Sequence, residues 1–252
     1  MIAGPRYEVI GVAGIPEVRG GDDVARLIAE AAARQGTPLA TGDLLVVGQK
    51  IISKAEGRIV RLTDVTPSPI AQSMAAGLAR DARLIEVILR ESRRVVRMDR
   101  GVLITETHHG WVCANAGVDQ SNVDVDCVAL LPEDPDRSAR ALRETLRARP
   151  GVDVLVIVAD TFGRPWREGL TNVAIGLAGF APLRSYLGER DSAGRPLQAT
   201  ILALADEFAA AAEPVMGKLD RIPAAIVRGL GLTPSEEGSK PLLRDPARDL
   251  FR

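Results

Sequence analysis

Two cysteines in 252 residues, Cys113 and Cys127, belong to no Cys-x-x-Cys pair. They make no disulfide framework, and both are expected to be reduced structural residues. Histidine is equally scarce. His108 and His109 are adjacent, so on a strand they would point to opposite faces and could not share a zinc ion. They are read as scaffold, with a substrate contact as the alternative. A formal net charge of −1 leaves no basic excess for nonspecific binding to nucleic acid or a membrane surface. No apolar run approaches the roughly 18–20 residues that span a bilayer. The start MIAGPRYEV lacks the basic residues and apolar core of a signal peptide, and cytoplasm is the expected location. Also missing are the nucleotide signatures GxxxxGK[ST] and GxGxxG after a strand, and the nucleophile elbow GxSxG. Aromatic residues are only 3%, which fits either genome base composition or a hot habitat.

What remains is an ordinary globular composition, 46% hydrophobic and 26% charged, long enough for one sizeable domain or two small interlocked ones. Of the 32 basic residues only Lys50, Lys54, Lys218 and Lys240 are lysines. A lysine kept against so strong an arginine bias suits a point-charge task such as phosphate binding, or it is there by chance.

Residues 7–13 alternate like a strand, and Asp22 or Asp23 caps an Ala-rich helix reaching about Arg34. Residues 43–53 read as a strand whose buried run LLVVGQKII ends at two lysines. Helices are expected over 66–80 and 81–92, the first opened by Pro67 and Pro69, then two short strands over 94–106 turning at MDRG. An amphipathic helix over 136–149 is stopped by Pro150 and Gly151. A second buried strand, 152–161, delivers Asp160, Thr161, Arg164 and Arg167 into a Gly/Pro-rich loop, where strand-ended architectures tend to place chemistry. A helix over 199–215 and a last strand over 224–228 follow. Without a clean βαβ alternation, an α+β fold of mixed sheets with packed helices is expected rather than a doubly wound sheet.

Three stretches put oxygen or basic groups at the ends of apolar segments: QKIISKAEG, NAGVDQSN and ADTFGRPWREG. Carboxylate, hydroxyl and amide oxygens suit Mg²⁺ or Mn²⁺, and lysines suit phosphate, so together they suggest metal-assisted nucleotide chemistry. The structural alternative is that Asp119 starts an Asx-turn, Asn122 caps a turn and Asp160 ends a strand.

The ordered motifs GIPEV, GDLLVVGQKIISKAEGR, HGWVCANAGVDQSNV, DTFGRPWREGLTNVAIGLAG, ERDSAGRPLQAT, ADEFAAAAEPVMGK and IPAAIVRG resemble the coenzyme F420-0:L-glutamate ligase family. The match runs from about Gly14 to the terminal DLFR, nearly the whole chain. The resemblance implies a cytoplasmic single-domain ligase over 1–252, without the C-terminal flavin reductase domain that some members carry. It implies two intertwined subdomains with no Rossmann or P-loop core, assembled as a homodimer with the nucleotide site near the subunit interface. The implied reaction uses GTP and Mg²⁺ or Mn²⁺, with K⁺ as a further ion, to join L-glutamate to coenzyme F420-0, releasing GDP and phosphate through an acyl phosphate.

Carried over by residue, Gly14, Ile15, Pro16 and Glu17 match the family's early nucleotide turn, and Gln49, Lys50 and Lys54 its phosphate-side strand end. Asp119 and Asp160 match carboxylates of a first metal, Thr161 a ligand of a second, and Asn122 a nucleotide contact. Met216, Gly217, Lys218, Leu219, Asp220, Arg221, Ile222 and Pro223 match the late nucleotide loop. One position departs: where family members can carry Glu or Gln on the second metal, this chain has Lys218, which cannot bind a cation while protonated. Asp220 substitutes, water completes the shell, or Lys218 contacts phosphate instead. Asn115 is expected to fix its turn beside the nucleotide. Arg164 and Arg167 are candidates for gripping carboxylates, or surface partners of Glu168 or Asp191. Trp166 stacks on the deazaflavin or anchors its loop. The competing readings are a metal-dependent nucleotide phosphohydrolase and a nonenzymatic GTP-binding module on the same scaffold.

Overall fold

The computed structural model describes residues 4–249, so residues 1–3 and most of the DLFR motif lie outside the described residues. In chain order the elements are β1 (Glu8–Gly11), α1 (Val24–Arg34), β2 (Leu44–Gly48), α2 (Gln49–Ala55), β3 (Ile59–Arg61), α3 (Pro69–Leu78) and α4 (Ala82–Arg90). Then come β4 (Ser92–Asp99), β5 (Val102–Thr107), β6 (Val112–Ala114), β7 (Cys127–Ala129), α5 (Pro135–Ala148), β8 (Leu155–Arg164) and β9 (Arg167–Ala178). The chain ends through β10 (Arg184–Ser185), β11 (Ile201–Leu202), α6 (Leu204–Met216) and β12 (Ala224–Arg228).

A five-stranded sheet, in the order β1-β12-β2-β8-β9, forms the centre, and β2–β8 is its one parallel pair. Successive side chains of a strand point to opposite faces. Leu45, Val47, Val156, Val158 and Ile226 accordingly pack with α1 and α5, while Leu44, Val46, Ile157, Ala159 and Val227 pack with Ala205, Ala209 and Ala212 of α6. Truncating a fully buried member such as Leu45 to Ala should cost about 2–5 kcal/mol. Asp23, one of the two caps expected for α1, accepts a backbone N–H at its helix start, and Ser68, Asp81 and Asp134 do the same for α3, α4 and α5.

After α2 the chain leaves the sheet and builds a second core from α3, α4, Leu103, Ala116, Val118, Val128 and Leu130. The small sheets β3–β7 and β4–β5–β6 belong to this part. Arg58 joins the two cores, donating to the Leu131 carbonyl at 3.0 Å and to Glu91 at 2.6 Å. The mixed sheets and packed helices are the expected α+β class.

Three expectations need correction. Residues 49–53 are not the end of a strand but the start of α2. Gly48, with φ −63° and ψ 130°, closes β2, after which burial of Gln49, Ile52 and Ser53 follows helical spacing. The Gly/Pro-rich residues 162–169 after the expected strand are not a loop either. β8 continues through Asp160 and Thr161 to Arg164 and pairs with β9 across a tight turn at Pro165 and Trp166. The helix expected over 199–215 is shorter, because β11 takes up Ile201 and Leu202.

Candidate active site

Topology gathers the motifs before any side chain acts. In the parallel pair Gly48 lies opposite Ala159, so α2 begins where Asp160 emerges. β12 runs antiparallel to β2 with Ala224 opposite Val47, which brings residues 216–223 to the same end of the sheet. The Pro223 carbonyl accepts the Gly48 N–H there at 2.8 Å. β1 is antiparallel to β12 with Gly11 opposite Ala225, so the turn carrying Gly14, Ile15, Pro16 and Glu17 leaves at this end too. The second core supplies the turn after Val118, held by reciprocal backbone bonds between Asp119 and Ala129 of 3.0 and 2.8 Å.

Side chains then close the site. Lys50 lies 2.8 Å from Asp119 Oδ2 and donates to Ser121 Oγ at 2.6 Å. One helical turn on, Lys54 pairs with Glu17. The i, i+4 spacing that puts both lysines on one face exists only because this segment is a helix. Gln49 is buried and accepts the Ser53 hydroxyl at 2.7 Å, so it anchors α2 rather than facing outward.

The two carboxylates titrate in opposite directions. Burial would raise Asp119, but hydrogen bonds from Lys50 and Ser121 outweigh it and hold the carboxyl below the usual range. Burial dominates at Asp160 and, with repulsion from Asp119, pushes it up to about 6 against the Thr161 backbone hydrogen bond and the attraction of Lys50 and Lys218. Two carboxylates close enough to repel, one of them poorly solvated, form an oxygen pair that fits a hard divalent cation. Among the described residues no group of three or more His, Cys, Asp or Glu side chains converges on a metal position. A cation on Asp119 and Asp160 would therefore take its other ligands from phosphate oxygens and water, as Mg²⁺ commonly does.

A second cation does not fit. Thr161 faces the other side of β8, where its hydroxyl donates to Asn172 Oδ1 at 2.7 Å and accepts from Lys218 Nζ at 2.7 Å. Lys218 also pairs with Glu213 Oε1 at 2.8 Å, and Glu213 Oε2 accepts from Asn172 at 2.8 Å. Lys218 therefore contacts protein oxygens at this position. Gly217, at φ 62°, starts the loop; a Cβ there would lie 2.3 Å from Asp220 Oδ2, so Asp220 is folded back over it. Met216 is buried, Leu219 and Arg221 are exposed, and Ile222 and Pro223 are half-buried.

Several candidates are placed elsewhere. The Arg164 guanidinium holds its own hairpin, donating to the Gly169 carbonyl at 3.3 Å and the Glu168 carbonyl at 2.6 Å; neither partner is the expected carboxylate. Arg167 and Trp166 are exposed at the hairpin tip. Asn115 accepts from Arg80 at 2.7 Å, a tie within the second core. Asn122 is exposed with φ 57°, as a turn asparagine allows. The histidines sit in the turn after β5 rather than on a strand. His108 donates to the Arg90 carbonyl at 2.8 Å and His109 to the Pro132 carbonyl at 3.0 Å, which is scaffolding. Cys113 is buried, with its thiol pushed up to about 12 chiefly by desolvation.

Sequence reasoning missed Ser121, Asn172 and Glu213. Ser121 stood inside the quoted NAGVDQSN. Asn172 could have been found only from the hairpin register that sets it opposite Thr161.

The family model for F420-0:Gamma-glutamyl ligase matches residues 13–229. The coenzyme F420:L-glutamate ligase of Methanothermobacter thermautotrophicus is 47% identical over 247 residues, covering 97% of this chain and 98% of that protein. The Methanopyrus kandleri protein of that name is 49% identical over 241 residues, 94% of each chain. That of Haloarcula marismortui is 42% identical over 252 residues, 97% of this chain and 95% of its own. With the family model spanning most of the chain and these relatives matching almost end to end, the chain belongs to the F420-0:Gamma-glutamyl ligase family.

Proposed function

We propose that this chain is a GTP-dependent ligase that joins L-glutamate to coenzyme F420-0. The observation that carries this reading is the meeting of Asp119, Asp160 and Lys50 at one end of the sheet, with the Lys54–Glu17 pair one helical turn on, in a chain whose relatives are coenzyme F420:L-glutamate ligases.

A carboxylate does not form an amide with an amine at neutral pH, because its oxygen is a poor leaving group. Phosphorylation removes that obstacle. A carboxylate oxygen of the precursor attacks the γ-phosphorus of GTP, the bond to the β-bridging oxygen breaks, and GDP leaves. The glutamate amine then attacks the acyl carbon, phosphate departs with the oxygen that the carboxylate supplied, and the amine loses a proton. Such chemistry asks the protein for position and charge neutralisation rather than a covalent nucleophile.

Asp119 and Asp160 would hold Mg²⁺ or Mn²⁺, which when bound neutralises phosphate oxygens. Lys50 and Lys54 now neutralise Asp119 and Glu17; on nucleotide binding their ammonium groups would turn to phosphate. Gly14 and its neighbours and the loop 216–223 border the same sheet end and would contact the nucleotide, joined by Asn122 from the turn that carries Asp119.

The test is a product assay by mass spectrometry: purified chain, GTP, Mn²⁺, L-glutamate and coenzyme F420-0, with each component omitted in turn and ATP substituted for GTP. Glutamate-extended coenzyme with stoichiometric GDP, and neither when glutamate is left out, is the expected result. GDP released regardless of glutamate would make the chain a phosphohydrolase, and equal turnover with ATP would remove the GTP assignment.

A further inference from the structure

In the ring of contacts on the far face of β8 each side-chain oxygen already has a partner. Thr161, Asn172, Glu213 and Lys218 close a cycle of four interactions, 2.7, 2.7, 2.8 and 2.8 Å long. They come from β8, β9, the last turns of α6 and the loop after it, so the arrangement depends on the fold rather than on neighbours in sequence. Asn172 is buried and both ends of its amide are used. Both carboxylate oxygens of Glu213 are engaged as well. A divalent ion binding here would have to displace the ammonium from Thr161 and Glu213. If the ammonium stayed nearby, the ion would meet its like charge at close range, where repulsion is strong.

We infer that the Lys218 ammonium is a built-in cation that takes the place of a second divalent ion, so that this chain works with one divalent cation, the one held by Asp119 and Asp160. This rests on the proposed role of those two carboxylates. An ammonium is permanently bound and carries one charge instead of two. The chain would therefore depend on free cation concentration to the first power, without the steeper dependence of a two-ion site.

The experiment counts Mn²⁺ bound per chain by equilibrium dialysis and the electron paramagnetic resonance signal of free Mn²⁺, in the presence of a nonhydrolysable GTP analogue. The wild-type chain should bind one ion. Lys218→Gln, which removes the charge and supplies an amide oxygen, should bind two, the second giving dipolar broadening in the bound signal. Lys218→Arg keeps the charge and should stay at one. Two ions in the wild type, one in Lys218→Gln, or a second ion in Lys218→Arg would each overturn the inference. No bound ion in the wild type would instead bring down the role given to Asp119 and Asp160, and the inference with it. Lys218 is largely exposed, and melting curves of the variants confirm that the comparison is between folded chains.

Discussion

Asp160 and Thr161 are consecutive residues of one strand, yet they serve two unlike regions. Strand alternation sends Asp160 to the face where α2 and the turn after Val118 meet it, and Thr161 to the face of α6. On the first face negative charge is in excess at short range: Asp119 is satisfied by Lys50 and Ser121, while Asp160 is raised to about 6. On the second face Thr161, Asn172, Glu213 and Lys218 are matched to one another. The lesson is that a site poised for a cation shows itself by an unrelieved carboxylate, whereas a closed hydrogen-bonded ring of similar residues serves as structure.

The comparison breaks most visibly if Asp119 is changed. Asp119→Asn should lower turnover by about 100-fold or more, the scale of removing a group that stabilises transition-state charge. It should also strip Lys50 of its ion-pair partner, so apo stability should not rise. A loss below about tenfold in steady-state kinetics would show that the two faces are functionally alike.

A smaller effect separates Arg164 from the chemistry. Because its guanidinium is spent on hairpin carbonyls, Arg164→Ala should cost about 1 kcal/mol of stability in denaturant titrations. The KM for glutamate should move by less than about threefold. A large rise in that KM with unchanged stability would restore Arg164 as a carboxylate-gripping residue.

Smallest of all, Ser121→Ala removes one hydroxyl from the Asp119 and Lys50 cluster while leaving its backbone N–H in place. Turnover should fall by only about two- to fivefold, consistent with the roughly 1 kcal/mol of a single hydrogen bond. An effect as large as that of Asp119→Asn would mean that Ser121 itself contacts a reacting group.

Much of the fold could be read from the residues because its signals were local. Asp23, Asp81, Pro150 and Gly151 mark helix boundaries by their own chemistry, and the strand 224–228 is a short apolar run. The errors at 49–53 and 162–169 share one cause. In both places the change of structure is set by backbone pairing rather than by the residues' own pattern: Gly48 against Pro223, and Arg164 against Arg167. The convergence of Asp119 with Asp160 came from the family resemblance; spacing alone put them in separate motifs. Lys218 was legible as a departure, but where its ammonium lies follows from the register that sets Asn172 beside Thr161, and no pattern in the sequence encodes that register.

The most direct measurement is on Asp160→Asn, comparing turnover with the melting of the cation-free protein at pH 8 and pH 4. A carboxyl raised to about 6 stabilises the fold in its protonated form, a contribution present below the ordinary value near 3.8 and lost as pH rises through about 6. At pH 8 the neutral amide should therefore make the cation-free chain more stable than wild type, by up to about 2–3 kcal/mol, with the difference vanishing near pH 4. Turnover should fall by about 100-fold or more. If the variant instead loses activity and stability together at pH 8, Asp160 is a structural residue and the cation site assigned to it does not exist.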